Sequence, residues 1–69
     1  MAYSEYRNMA LTWEYGRDGE FPYRKTVDGV SLEIRVGDFP DEFIYNLLVD
    51  AVEVDNFDAW PENWTRPVG

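Results

Sequence analysis

The chain contains no cysteine and no histidine among its 69 residues. Without cysteine there is neither a disulfide nor a thiolate-bound zinc to supplement the small core of so short a domain. Without either residue type, nucleophilic catalysis by a Ser–His or Cys–His pair is excluded. The sequence therefore predicts a non-enzymatic protein that uses no cofactor and no metal and is stabilised by apolar packing.

Long apolar segments and glycine-rich loops are also missing. No apolar run approaches the roughly 20 residues that a membrane span needs, and the first residues contain no apolar segment typical of a secretory signal. The five glycines are isolated, so they form no phosphate-binding loop. These patterns predict a cytoplasmic protein that does not bind membranes. It is expected to be one domain over residues 1–69, in which residues 1–8 and 65–69 are free to be flexible tails.

Basic residues are scarce, and only one of the six lies in the second half of the chain. Residues 1–37 carry five basic and six acidic residues, a net charge of −1, whereas residues 38–69 carry one basic and eight acidic residues, a net charge of −7. Such a charge repels a phosphate backbone, so direct nucleic-acid binding is not expected. A basic protein is the expected partner, and homodimerisation stays open because it would enlarge a small core.

Aromatic residues are abundant by contrast, since three Trp, five Tyr and four Phe make up 17% of the chain. Each ring can bury on the order of 150–250 Å², so a few of them suffice for a small core. Two interpretations fit Trp13, Trp60 and Trp64: they cover an open face of a sheet, or they form a surface platform for a partner. The need of a small domain for a closed core favours the first interpretation.

Alternation of apolar and polar residues predicts strands in the first half of the chain. Residues 9–15 and 30–36 both alternate with the period of a half-buried strand. Residues 21–27 are also expected to be extended, and Asp28-Gly29 follows them directly. This dipeptide between two such runs is typical of a type I′ hairpin turn. The apolar positions of these strands predict one core that contains Trp13, Leu32 and Ile34.

Residues 41–53 have two interpretations. As a helix, the segment would place Ile44 and Leu47 on one stripe. As a hairpin, it would place Phe43 and Leu47 on one face and turn at Asp50-Ala51. The many β-branched and aromatic residues favour the hairpin, although Ala51 at positive φ would cost on the order of 1 kcal/mol.

The predicted fold class is mainly β: a small antiparallel meander of four to five strands. Residues 58–64 are expected to add one short C-terminal helical turn, because Asp58 can cap it and Pro61 falls early in it. The alternative is an α+β fold with one helix at about residues 41–53.

Acidic and aromatic residues coincide near the C-terminus, and they are the predicted partner-binding residues. They are Asp55, Asp58, Trp60, Glu62 and Trp64. Carboxylates would steer a basic partner, and the rings would supply affinity. In the alternative interpretation these carboxylates have no partner and only keep an exposed edge of the sheet soluble. That acidic edge is formed by Asp50, Glu53, Asp55 and Asp58, which lack the spacing of a calcium-binding loop.

Three functions fit these features. The leading hypothesis is a protein-binding module, such as an inhibitor, immunity or regulatory protein for a basic partner. In size and charge alone the chain resembles small acidic bacterial or phage proteins that neutralise such partners. The second hypothesis is a nucleic-acid mimic, whose carboxylates would imitate phosphates and block a DNA-binding enzyme. The third is a stand-alone structural or oligomerising domain, in which acidity serves solubility only.

Overall fold

The computed structural model describes residues 3–67, and the remaining ends of the two predicted tails lie outside the described residues. A 3-10 helix, Tyr3–Asn8, comes first and is followed by β1 (Leu11–Thr12), β2 (Glu14–Tyr15), β3 (Tyr23–Val27), β4 (Val30–Val36), β5 (Tyr45–Val49), β6 (Val52–Phe57) and β7 (Trp64–Thr65). Strands β2 to β6 form an antiparallel sheet in sequence order, and β1 pairs with β7. The predicted mainly β meander is confirmed.

Both predicted hairpin turns have the backbone that a type I′ turn needs, which is positive φ at both central residues. Asp28 has φ 51° and Gly29 has φ 79°, and the same signs recur at Asp50, with φ 49°, and Ala51, with φ 69°. The second turn joins β5 to β6, so residues 41–53 contain a strand and a turn and no helix. The hairpin interpretation of this segment is therefore confirmed.

Ala51 is an L-residue with a side chain in the left-handed region, which costs roughly 1–2 kcal/mol. We expect Ala51→Gly to raise the free energy of unfolding by about 0.5–1 kcal/mol, because glycine removes that strain but loses more backbone entropy on folding. Ala59→Gly is the matched control, since Ala59 is also exposed but does not have positive φ. Chemical denaturation of both variants tests the turn: Ala51→Gly stabilises and Ala59→Gly does not. Equal destabilisation by both would contradict the turn geometry.

The predicted strand over residues 9–15 is broken at Trp13. Leu11 pairs in parallel with Trp64 on β7, whereas Tyr15 pairs with Tyr23 on β3. The Trp13 N–H donates to the carbonyl of Thr65 over 2.9 Å, so the chain passes at this residue from one sheet to the other.

The C-terminal segment accounts for this break. The predicted helical turn at residues 58–64 is reduced to one hydrogen bond, from the Trp64 N–H to the Pro61 carbonyl over 3.1 Å. Residues after it are extended because they pair with β1. Residues 3–8, within one of the predicted flexible tails, form the 3-10 helix. No helix in the described part of the chain is long and apolar enough to cross a membrane.

The core lies on one face of the five-stranded sheet, here called the inner face. Leu32, Ile34 and Leu47 have no exposed surface there, and Trp13 retains only 1%. The predicted core of Trp13, Leu32 and Ile34 is thus confirmed. Trp64 packs edge-on against Trp13 with ring centroids 4.9 Å apart, so tryptophans close the inner face as the favoured interpretation expected.

Candidate functional site

Two of the predicted partner-binding residues are engaged inside the fold. Only 4% of Trp64 is exposed, and its indole N–H donates to the Tyr6 carbonyl over 2.7 Å. Asp55 forms an ion pair with Arg7, with Nε and Oδ2 2.9 Å apart, and the two groups are not aligned as a hydrogen bond. The Arg7 guanidinium also lies 5.3 Å from the ring centroid of Phe57. These contacts hold the 3-10 helix against β6.

Trp60 is half-buried and lies among the aromatic rings that cover the inner face of the sheet. Its ring is 5.4 Å from that of Tyr45 and 5.3 Å from that of Trp64. The Arg66 guanidinium lies 4.7 Å from the Trp60 ring centroid and donates to the Tyr45 hydroxyl over 3.2 Å. That hydrogen bond raises the pKa of Arg66. Glu62 is exposed beside Trp60, on the rim of a wide, shallow depression of about 380 Å³.

Asp58 leads to a different surface. Its carboxylate oxygen Oδ1 accepts a hydrogen bond from the Ile44 N–H over 3.1 Å. Ile44 is the last residue of the connection between β4 and β5, residues 37–44, which we call the Phe39/Phe43 loop. Asp58 is therefore the member of the predicted set that contacts this loop.

Hydrogen bonds within the Phe39/Phe43 loop fix its conformation. At its base, the Gly37 N–H donates to the Ile44 carbonyl over 3.1 Å. Across its middle, the Glu42 N–H donates to the Asp38 carbonyl over 2.9 Å. The Asp38 N–H in turn donates to the Glu42 carboxylate over 3.0 Å. The loop thus carries its own hydrogen-bond framework.

Asn46, on β5, attaches this framework to the sheet. It is a buried polar side chain with 2% of its surface exposed. Its Nδ2 donates to the carbonyls of Arg35, over 3.1 Å, and Phe43, over 3.2 Å, while its Oδ1 accepts from Asn56 over 2.7 Å. Because a buried amide without partners would cost about 1–3 kcal/mol, these bonds favour one position of the loop.

The Phe39/Phe43 loop nevertheless presents two aromatic rings to solvent. Phe39 is 62% exposed and Phe43 is 50% exposed. Between them lies a small pocket of about 110 Å³. It is lined by Phe39, Pro40, Asp41, Glu42, Phe43 and Asp58. A connection between two strands needs no exposed ring, so the sequence places apolar surface here beyond what the turn requires.

Three carboxylates border the pocket, and within residues 3–67 only one of them has a cation beside it. Glu42 Oε1 is 3.5 Å from Nη1 of Arg35, which also pairs with Glu53 over 3.1 Å. The Asp38 N–H, followed by the Arg35 charge, holds the pKa of Glu42 below its ordinary value of 4.5. The carboxylate of Asp41 has no partner among residues 3–67. The rim is therefore net negative.

The chain matches no protein-family model, no curated protein sequence and no solved structure. The predicted acidic edge is divided among separate partners, since Asp50 accepts from the Ser31 N–H while Glu53 and Asp55 pair with different arginines. Within residues 3–67 no group of three or more acidic side chains is placed to hold a metal ion.

Phe39 and Phe43 were not among the residues predicted to bind a partner. The sequence predicts only the end of a strand at residues 37–41, and the hairpin interpretation of residues 41–53 places Phe43 on a strand face with Leu47. The signal that could have found them is their composition. Two phenylalanines in the polar segment 37–43, beside a proline and three acidic residues, are unusual for a connection that only has to turn.

Proposed function

We propose that this protein is a non-enzymatic binding module whose basic protein partner contacts the Phe39/Phe43 loop and Asp58. The observation that carries the proposal is the pair of exposed rings on a loop held by hydrogen bonds. Aromatic side chains are enriched in the buried centres of protein interfaces and often dominate the binding energy. A loop already fixed in one conformation loses little further entropy on binding.

Charge supports the choice of a basic partner. Residues 38–69 carry a net charge of −7, and Asp41 and Asp58 lie beside the exposed rings. Complementary charge accelerates association and rejects acidic partners, while burial of the rings supplies affinity. An inhibitor, immunity or regulatory role would use such a surface. The cytoplasm, where disulfides are rare, suits a chain without cysteine.

The nucleic-acid mimic has less support. Such a mimic would present rows of unpaired carboxylates in place of phosphates. On the outer face of the sheet, Glu33 pairs with Arg17 over 3.1 Å, and Glu53 pairs with Arg35 over 3.1 Å. Acidic and basic groups therefore alternate on that face, which does not favour a mimic of phosphates.

The test is affinity capture from a lysate of the organism that encodes the chain, at low and at high salt. We expect a basic protein to be retained by the parent protein and lost by the double variant Phe39→Ser/Phe43→Ser, because a hot-spot side chain contributes about 2 kcal/mol or more. Val52→Ser is the matched control, since Val52 is also 62% exposed but follows the turn at the other end of β5.

High salt should weaken the capture, because exposed charges are screened. Retention of the same proteins by the double variant and the parent would overturn the proposal. So would equal loss of the captured protein by Val52→Ser.

A further inference from the structure

We infer that the pocket between Phe39 and Phe43 receives an arginine side chain of the partner. This inference rests on the proposed function and adds the chemical group that is recognised. It is carried by the size of the pocket, the chemistry of its walls and the way in which the same chain holds its own arginines.

The size of the pocket limits its occupant to one side chain. Its volume is about 110 Å³, whereas sites for small molecules and cofactors typically enclose about 300–1,000 Å³. A metabolite of ordinary size would therefore remain mostly outside. A single long side chain from a protein fits, with its backbone running over the rim.

The walls combine two kinds of group that favour an organic cation. Phe39, Phe43 and Pro40 provide apolar surface, and Asp41 and Asp58 provide carboxylates. An aliphatic occupant would desolvate those carboxylates without compensation. A cation on an apolar stem satisfies both, because its stem covers the rings and its charge reaches the carboxylates.

Arginine suits this pocket better than lysine. Its guanidinium is planar, stacks on aromatic faces, is weakly hydrated and binds carboxylates with two parallel hydrogen bonds. Lysine is a strongly hydrated point charge that loses more solvation when it is enclosed. The exposed faces of Phe39 and Phe43, bordered by carboxylates, offer both contacts that arginine makes.

The fold already uses this combination for its own residues. Arg7 lies 5.3 Å from the centroid of Phe57 while its Nε is 2.9 Å from Asp55. Arg17 lies 3.9 Å from the centroid of Phe21 and pairs with Glu33. The pocket has the same combination of Phe rings and carboxylates, but no arginine is among its lining residues. Of the three carboxylates that line the pocket, Arg35 pairs with that of Glu42, and among residues 3–67 no arginine or lysine pairs with Asp41 or Asp58.

The experiment is an NMR titration of ¹⁵N-labelled protein with three peptides of the form acetyl-Ala-Ala-X-Ala-Ala-amide. X is arginine, lysine or the neutral isostere citrulline. We expect saturable shifts at the amides of residues 39–43 and 58 with the arginine peptide. Binding should be about two- to fivefold weaker with lysine, which is the fold-change that an added cation–π contribution of about 0.5–1 kcal/mol corresponds to, and no saturation is expected with citrulline.

Asp41→Asn should weaken binding of the arginine peptide, and its matched control Glu62→Gln should not. Both carboxylates are exposed and neither has a side-chain partner among the described residues, so both variants are expected to fold. Saturation by the citrulline peptide as strong as that by the arginine peptide would overturn the inference. Equal weakening by the two variants would also overturn it, because it would indicate general charge attraction.

The two proposals fail separately. If the peptides show no preference for arginine while Phe39→Ser/Phe43→Ser still abolishes capture of the partner, the loop binds a partner through another group. If the double variant also captures the partner normally, neither proposal holds.

Discussion

Replacing Ile34 with alanine is expected to lower the free energy of unfolding by about 2–5 kcal/mol. Ile34 has no exposed surface and lies on β4, between Tyr23 on β3 and Leu47 on β5. Truncation removes buried methyl groups and leaves a cavity at the centre of the sheet. A domain of this size is stable by only about 3–10 kcal/mol in total, so a large share of its stability depends on this side chain. Urea denaturation measures the loss.

Val36→Ala is the control for Ile34→Ala. Val36 is on the same strand and the same face, two residues further on, but 38% of it is exposed. We expect this variant to cost about 1 kcal/mol or less, since it removes little buried area. If both variants unfolded at the parent midpoint, the side chain of Ile34 would point to solvent and the register of β4 would be displaced by one residue.

Replacing Gly37 with alanine is expected to cost about 1–3 kcal/mol, because the added methyl group would overlap backbone that cannot move away. A Cβ atom at Gly37 would collide with the carbonyl oxygen of Phe43 and would lie 3.0 Å from Cβ of Glu42. The base of the Phe39/Phe43 loop would have to open, and the hydrogen bond from Gly37 to Ile44 would be lost. Binding of the arginine peptide should weaken with it.

Gly19→Ala provides the comparison, since a Cβ at Gly19 would meet no atom within 4 Å. We expect its effect to stay within about 0.5 kcal/mol of the parent, as for other surface changes. Both variants are measured by chemical denaturation and by the titration with the arginine peptide. Equal stability of the two variants would mean that the loop does not close over Gly37 as described.

The hairpins could be predicted from sequence because their determinants are local. Asp28-Gly29 accepts positive φ directly, and alternation over residues 30–36 assigns Leu32 and Ile34 to the core. At Asp50-Ala51 the local signal was weaker, since alanine resists positive φ. There the β-branched and aromatic residues on either side indicated the turn correctly.

The parallel pairing of β1 with β7 could not be predicted in the same way. It joins the two ends of the chain, and it depends on Trp13 and Trp64 packing together over the inner face. Two-residue strands carry too little alternation to be recognised. The pairing of β7 with β1 therefore determines the structure at the end of residues 58–64, where the local sequence predicts a helical turn.

The candidate site was predicted only in part, because exposure is decided by distant partners. Asp58 was identified from charge, but its contact with Ile44 appears only when β6 has paired with β5. The exposure of Phe39 and Phe43 depends on bonds from Asn46, a residue whose burial no pattern indicated. Conversely, the sequence made Trp64 a candidate for contact with a partner, but its ring is buried against Trp13 and Phe57.

The central claim is that the Phe39/Phe43 loop is rigid in the free protein while its two rings face solvent. ¹⁵N relaxation of the free protein tests this most directly, through the backbone order parameters of residues 37–44. Hydrogen bonds at Gly37, Glu42 and Ile44 predict order parameters of about 0.85, equal to those of the neighbouring strands. Values below about 0.6 across the loop would contradict the account, because a loop that is already mobile offers no preformed surface.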